Sequence, residues 1–116
     1  MADNSVLFSI KSMLGIDNDM TSFDFEIIQH INAAFITVHQ LGVGPTDSFQ
    51  IEGSDEIWSD FSADPKLVNL ARSYIYKKVR LAFDPPTNSF LNTSIENQIK
   101  EDEFRLNMYG EGAFDG

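Results

Sequence analysis

Apolar residues recur at helical spacing in four stretches of the chain. Val6, Leu7, Ile10, Met13 and Leu14 predict a short helix over residues 5–14, with Gly15 as its C-terminal cap. Phe23, Ile27, Ile28, Ile31, Ala34, Phe35, Val38 and Leu41 form one broad stripe and predict a second helix ending near Leu41. Thr21 or Ser22 is its expected cap, Asp24 and Glu26 suit the positive end of its dipole, and Gly42 and Gly44-Pro45 end it. Asp64-Pro65 supplies an N-cap and a first helical residue for a third helix, whose apolar positions run from Leu67 through Leu70, Ala71, Tyr74, Ile75 and Val79 to Ala82. Asp84-Pro85-Pro86 stops it, because proline cannot continue the hydrogen-bond ladder. Thr93 and Glu96 match a capping box and predict a fourth helix over residues 94–108, with Ile95, Ile99 and Leu106 as a thin stripe and Glu101–Arg105 as a favourable pair.

Between these stretches, residues 45–63 read as a long irregular loop with a short extended piece at Phe49 and Ile51 and a helical turn around Ile57, Trp58 and Phe61. Residues 109–116 are glycine-rich and acidic, which predicts a tail disordered in the free subunit. The expected fold is therefore all-α: a small bundle of about four helices, with the loop between the second and third. Residues 1–108 make one domain, since 116 residues are too few for two sizeable cores.

Charge and composition narrow the function. Cysteine is absent, which removes disulfides, thiolate chemistry and cysteine-based zinc sites. The start, Met1-Ala2-Asp3-Asn4, has no basic region, so no leader peptide is expected, and no apolar run is long enough for a membrane span. The net charge of −10 repels phosphate and argues against a specific DNA reader. It is also unevenly placed. Ten carboxylates and no Lys or Arg lie between Ser12 and Pro65, whereas five of the eight basic residues fall between Lys66 and Arg80. Two readings follow: the halves neutralise each other within one subunit, or one subunit's acidic surface meets the next one's basic helix.

Candidate chemistry is thin. His30 and His39 lie nine residues apart on one helix, which does not converge two ligands on a metal. Asp17-Asn18-Asp19 resembles the start of a calcium loop but continues with Ser22 and Ile28 where Gly and Glu are needed. Gly42-Val43-Gly44 follows a helix rather than a strand and reads as a cap. Asn92-Thr93-Ser94 is a glycosylation triplet by pattern alone, and Glu101-Asp102-Glu103 reads as a solvated helix face. No catalytic, cofactor-binding or metal-binding residues are assigned, and no cofactor and no enzymatic activity are expected.

Surplus binding surface is easier to find. Phe25, Gln29, Asn32 and Ile36 line up opposite the core stripe of the second helix, as scattered exposed residues or as an intersubunit contact. Lys66, Asn69, Ser73, Lys77 and Arg80 form a basic ridge on the third. Lys78 falls inside the apolar stripe, where it either snorkels or meets a carboxylate at an interface. The candidate subunit interface is thus Phe25, Gln29, Asn32, Ile36, Lys66, Lys77, Lys78 and Arg80, and Tyr109 and Phe114 are candidates for a docking tail.

Three segments carry a family likeness: residues 9–16 (SIKSMLGI), residues 27–35 (IIQHINAAF) and, most specifically, residues 74–86 (YIYKKVRLAFDPP). With helix order and length they make the chain resemble the head–tail connector, adaptor or head-completion, proteins of long-tailed phages. That resemblance implies a structural subunit of a homo-oligomeric ring, twelve-fold like the portal protein it binds. The ring extends the DNA channel, passes double-stranded DNA without specific binding, and docks a downstream connector, stopper or tail protein. It implies assembly in the bacterial host cytoplasm and a final place in the virion, with no membrane involved. A second reading is a small acidic phage protein that binds and regulates a host factor as an inhibitor or DNA mimic. Neighbouring capsid, portal and tail genes would separate the two.

Overall fold

A computed structural model describes residues 4–111. Five helices follow one another: α1 (Val6–Met13), α2 (Asp24–Gln40), α3 (Trp58–Phe61), α4 (Pro65–Phe83) and α5 (Ser89–Gly110). Among the described residues there is no strand, only an isolated bridge between Ser5 and Ile57. The expected all-α bundle of four main helices is what forms, with α3 as a single turn inside the long loop.

α4 lies at the centre and packs against each of the other four helices. Its buried residues Leu67, Ala71, Tyr74, Ile75 and Val79 meet a core to which α2 contributes Ile27, Ile31, Ala34, Phe35 and Val38. Both stripes recur every three or four residues, so each helix buries one face. Asp64 starts α4 as expected, its Oδ1 accepting from the Lys66 N–H at 3.0 Å.

Two helix starts differ from expectation. α2 begins with Phe23 in the cap position and no side-chain cap; neither Thr21 nor Ser22 fills that role. Asp24 in its first turn is instead drawn to a buried cation. Lys11, which interrupts the apolar pattern of α1, is fully buried, and its Nζ donates to the carbonyls of Met20 (2.7 Å) and Asn18 (3.2 Å). The same Nζ lies 2.8 Å from Asp24 Oδ1, an ion contact off the hydrogen-bonding axis. One ammonium thus ties α1, the following turn and the start of α2 together. A buried charge persists only when paired and hydrogen-bonded in this way.

α5 begins five residues before the expected Ser94. Asn88 is its N-cap, with Oδ1 accepting from Phe90 N (2.8 Å) and Leu91 N (3.3 Å), and Thr93 lies inside the helix. Glu101-Asp102-Glu103 is not a solvated face. Asp102 is buried, 2.8 Å from Lys77 Nζ and 3.4 Å from Arg105 Nη1, and Glu103 accepts the Tyr74 hydroxyl at 2.8 Å. The cause is the poor apolar stripe of α5, which buries only Ile99 and Leu106 besides Asp102. Polar contacts to α4 complete its docking. The expected Glu101–Arg105 pair is present at 3.8 Å.

The loop is a strap held at defined points. Asn32 forms a paired contact with the backbone of Ile51, accepting from its N–H at 2.8 Å and donating to its carbonyl at 2.9 Å. Ser5 Oγ donates to the Ser54 carbonyl at 2.8 Å, and Trp58 Nε1 donates to Ser9 Oγ at 2.9 Å. Phe49, Trp58 and Phe61 gather around Phe35 with ring centroids 4.8, 6.2 and 5.4 Å away. Gly44 has φ +95°, and a Cβ there would sit 2.8 Å from the Phe61 ring. At the far end, Gly110 packs its backbone on Leu41 and Gly42, so the last turn of α5 closes on the C-terminal end of α2.

Lys11→Met is expected to lower unfolding free energy by about 3 kcal/mol, because it strands buried carbonyls and a carboxylate; urea denaturation measures it. Lys77→Met is expected to cost a similar amount, about 3 kcal/mol, by leaving Asp102 buried with only Arg105 nearby. Adding Asp102→Leu should return stability to within about 1 kcal/mol of the parent. An equal loss in the single and double variants would show that packing, not charge pairing, holds α5.

Candidate assembly surface

The described residues contain no cluster of three His, Asp or Glu side chains able to hold a metal. His30 lies 3.7 Å from Glu26 one turn away, and His39 is exposed near the end of α2. No helix among the described residues is long and apolar enough to cross a membrane.

On α2, Phe25 is 76% exposed, Ile36 is 44% exposed and Gln29 is exposed. Each belongs to an otherwise well-packed helix, and water solvates phenyl and sec-butyl groups poorly. Asn32 is not part of this open face. Its amide is spent on the Ile51 backbone, because an extended strap beside a helix needs an outside partner for its own N–H and C=O.

The basic ridge of α4 is only partly a ridge. Lys66 is exposed. Lys77 turns toward α5 and pairs with buried Asp102. Arg80 donates to the Tyr76 hydroxyl at 3.1 Å and to the Asp84 carbonyl at 3.2 Å, which anchors it along its own helix. Lys77 is thus neutralised within the subunit, but by α5 and not by the acidic first half of the chain.

Lys78 takes a different position. α2 and α5 pack mainly on α4 and diverge from each other, leaving a groove of about 440 Å³. Ala33, Ala34 and Thr37 of α2 form one wall, Ile99 of α5 the other, and Lys78, Leu81 and Ala82 the floor. Lys78 is half-buried there. Deeper between the same helices, burial and the Glu103 carboxylate push the Tyr74 phenol above its usual range, so it stays a neutral donor. That raised value means its contribution to stability is full below the ordinary tyrosine pKa of 10.0 and is lost only above it.

Two of the three most exposed apolar groups were not among the residues singled out by sequence. Phe90 is 85% and Phe104 67% exposed, both on α5. They stand fourteen residues apart with Asn97 midway, so all three share one face. Starting the helix at Ser94 hid Phe90; placing the start at Asn88, itself a good cap residue, would have revealed the spacing. Tyr109 lies in the last turn of α5, half-buried and packed against the core. Phe114 lies outside the described residues.

Among the described residues, apolar and charged patches lie on separate helix faces around the core. No curated protein and no solved structure matches the chain. A family profile described as phage connector protein, a family of structural virion proteins, matches residues 6–113, nearly the whole sequence, and the chain belongs to that family.

Proposed function

We propose that the protein is a head–tail connector subunit that assembles into a ring below the portal. The ring lengthens the DNA conduit and offers a platform to the next connector, stopper or tail protein. The observation that carries this reading is the pairing of family membership across residues 6–113 with large aromatic side chains left in water on two different helices. A monomer gains nothing from such exposure, whereas a subunit buries it on assembly.

The acidic surplus supports a channel lining. With a net charge of −10, most of the surface repels the DNA backbone, and no counterion release drives binding, so DNA slides through without being held. A twelve-fold ring would match the symmetry of the portal. Assembly takes place in the cytoplasm of the bacterial host, with the virion as its destination. Of the docking-tail candidates, Tyr109 packs on the core, and Phe114 is the one put forward for contact with the portal or the downstream protein. Lys66 and the groove floor at Lys78 are further candidate contacts, each suited to a partner's carboxylate.

Mass measurement of the purified protein, alone and mixed with portal, tests the reading. A ring-sized species, formed on the portal at least, is the expected outcome; a monomer under both conditions contradicts it. Lys78→Met should leave thermal stability nearly unchanged yet reduce assembly by about tenfold, the size of one lost charge-assisted contact at an interface. Unchanged sedimentation under assembling conditions would remove Lys78 from the interface.

A further inference from the structure

Two exposed faces carry the same order of side chains. On α2, Phe25, Gln29 and Ile36 place an amide between two apolar groups; on α5, Phe104, Asn97 and Phe90 do the same. The apolar groups are eleven residues apart on α2 and fourteen on α5, or roughly 16 and 21 Å at 1.5 Å per residue. The difference is about the reach of one phenyl side chain. Both faces therefore have the length and pattern of one helix–helix contact of three to four turns.

Charge decides which face meets which, and in what direction. Beside Phe25 stands Glu26, whose side chain is more than half exposed, with Asp24 engaged by Lys11. Beside Phe104 stand Lys100 and Arg105, with Phe104 between them in a shallow surface depression. Glu101 offsets Arg105 at 3.8 Å, while Asp102 and Glu103 are turned toward α4, so Lys100 is left as the outward charge. A parallel contact of either face with its own copy would set Glu26 on Glu26 or Lys100 on Lys100, and an antiparallel contact of two α2 faces would lay Glu26 toward the Ile36 end, which carries no Lys or Arg. The unlike pairing brings Glu26 and Lys100 together.

We propose that the outward face of α2 in one copy packs antiparallel on the outward face of α5 in the next, with Phe25 beside Phe104, Ile36 beside Phe90, and Glu26 opposite Lys100. This deepens, and rests on, the ring reading above by naming the contact that closes it. The antiparallel direction also places the N-terminal end of α2, with its positive dipole, beside the C-terminal half of α5. Because the two patches differ and face away from a shared central helix, the contact is head-to-tail, the kind that closes into a ring when the rotation permits. It also explains why α5 is docked by polar contacts on its inner side. Its apolar residues Phe90 and Phe104 are committed outward.

The chain has no cysteine, which makes disulfide trapping unambiguous. In protein assembled on the portal, the double variant Glu26→Cys with Lys100→Cys should give a ladder of covalent multimers under mild oxidation. Either single variant should give none. Charge reversal provides the second arm: Lys100→Glu and Glu26→Lys should each weaken assembly by about tenfold, and their combination should recover most of it. Circular dichroism checks that each variant folds. Covalent dimers from Glu26→Cys alone would show a like-face contact and overturn the proposal. So would an assembled parent whose double-cysteine variant gives no ladder. If the parent itself never assembles, with or without portal, the ring reading fails and the contact with it.

Discussion

α4 meets two opposed demands within one nineteen-residue helix. Toward α2 it must be apolar, and Ala71, Ile75 and Val79 supply a face that excludes water. Toward α5 it must hold a helix with few apolar groups to offer. Tyr74 and Lys77 meet that second demand, reaching Glu103 and Asp102 at 2.8 Å each. Every other helix rests on α4, so the placement of these two polar side chains decides where α5 lies and what it presents to solvent.

The outer surface follows from that inner arrangement. Asp102 and Glu103 face inward, so the opposite side of α5 is Phe90, Asn97 and Phe104 rather than a row of carboxylates. Lys77 is consumed in the same exchange and leaves the α4 ridge with Lys66 and a tethered Arg80. A buried ion pair between helices adds little net stability against an apolar substitute. What it does here is set register: Lys77 on Asp102 and Tyr74 on Glu103 admit one axial position of α5 against α4. That position carries Gly110 onto Gly42, where the backbones approach too closely for a side chain.

The acidic half of the chain is organised by quite different means. Lys11 gathers the α1–α2 turn around one ammonium, and Asn32 and Ser5 hold the strap by its own backbone groups. The aromatic cluster around Phe35 then seals the strap against the core. These devices use few residues because each satisfies two groups at once. They also leave the acidic side chains Asp47, Glu52 and Asp55 at the surface.

Periodicity alone was enough for four main helices, for the Asp64-Pro65 start and Pro85-Pro86 stop of the central one, and for the inward faces of α2 and α4. Those features depend on residues a few positions apart, and local spacing reports them. The kinship of residues 74–86 was readable for the same reason. Other features required partners distant in sequence. The choice of Asn88 over Thr93 as cap, the burial of Asp102, the loss of Asn32 to the strap and the pairing of Lys11 each turn on a group that only folding brings near. A carboxylate triplet on a helix looks solvated until the opposing lysine is in place. The sequence by itself determined that this is an all-helical protein of the connector family. Only the tertiary structure decided which charges are spent inside and which aromatics are left facing out, because burial and charge pairing are properties of neighbours in space, not of neighbours along the chain.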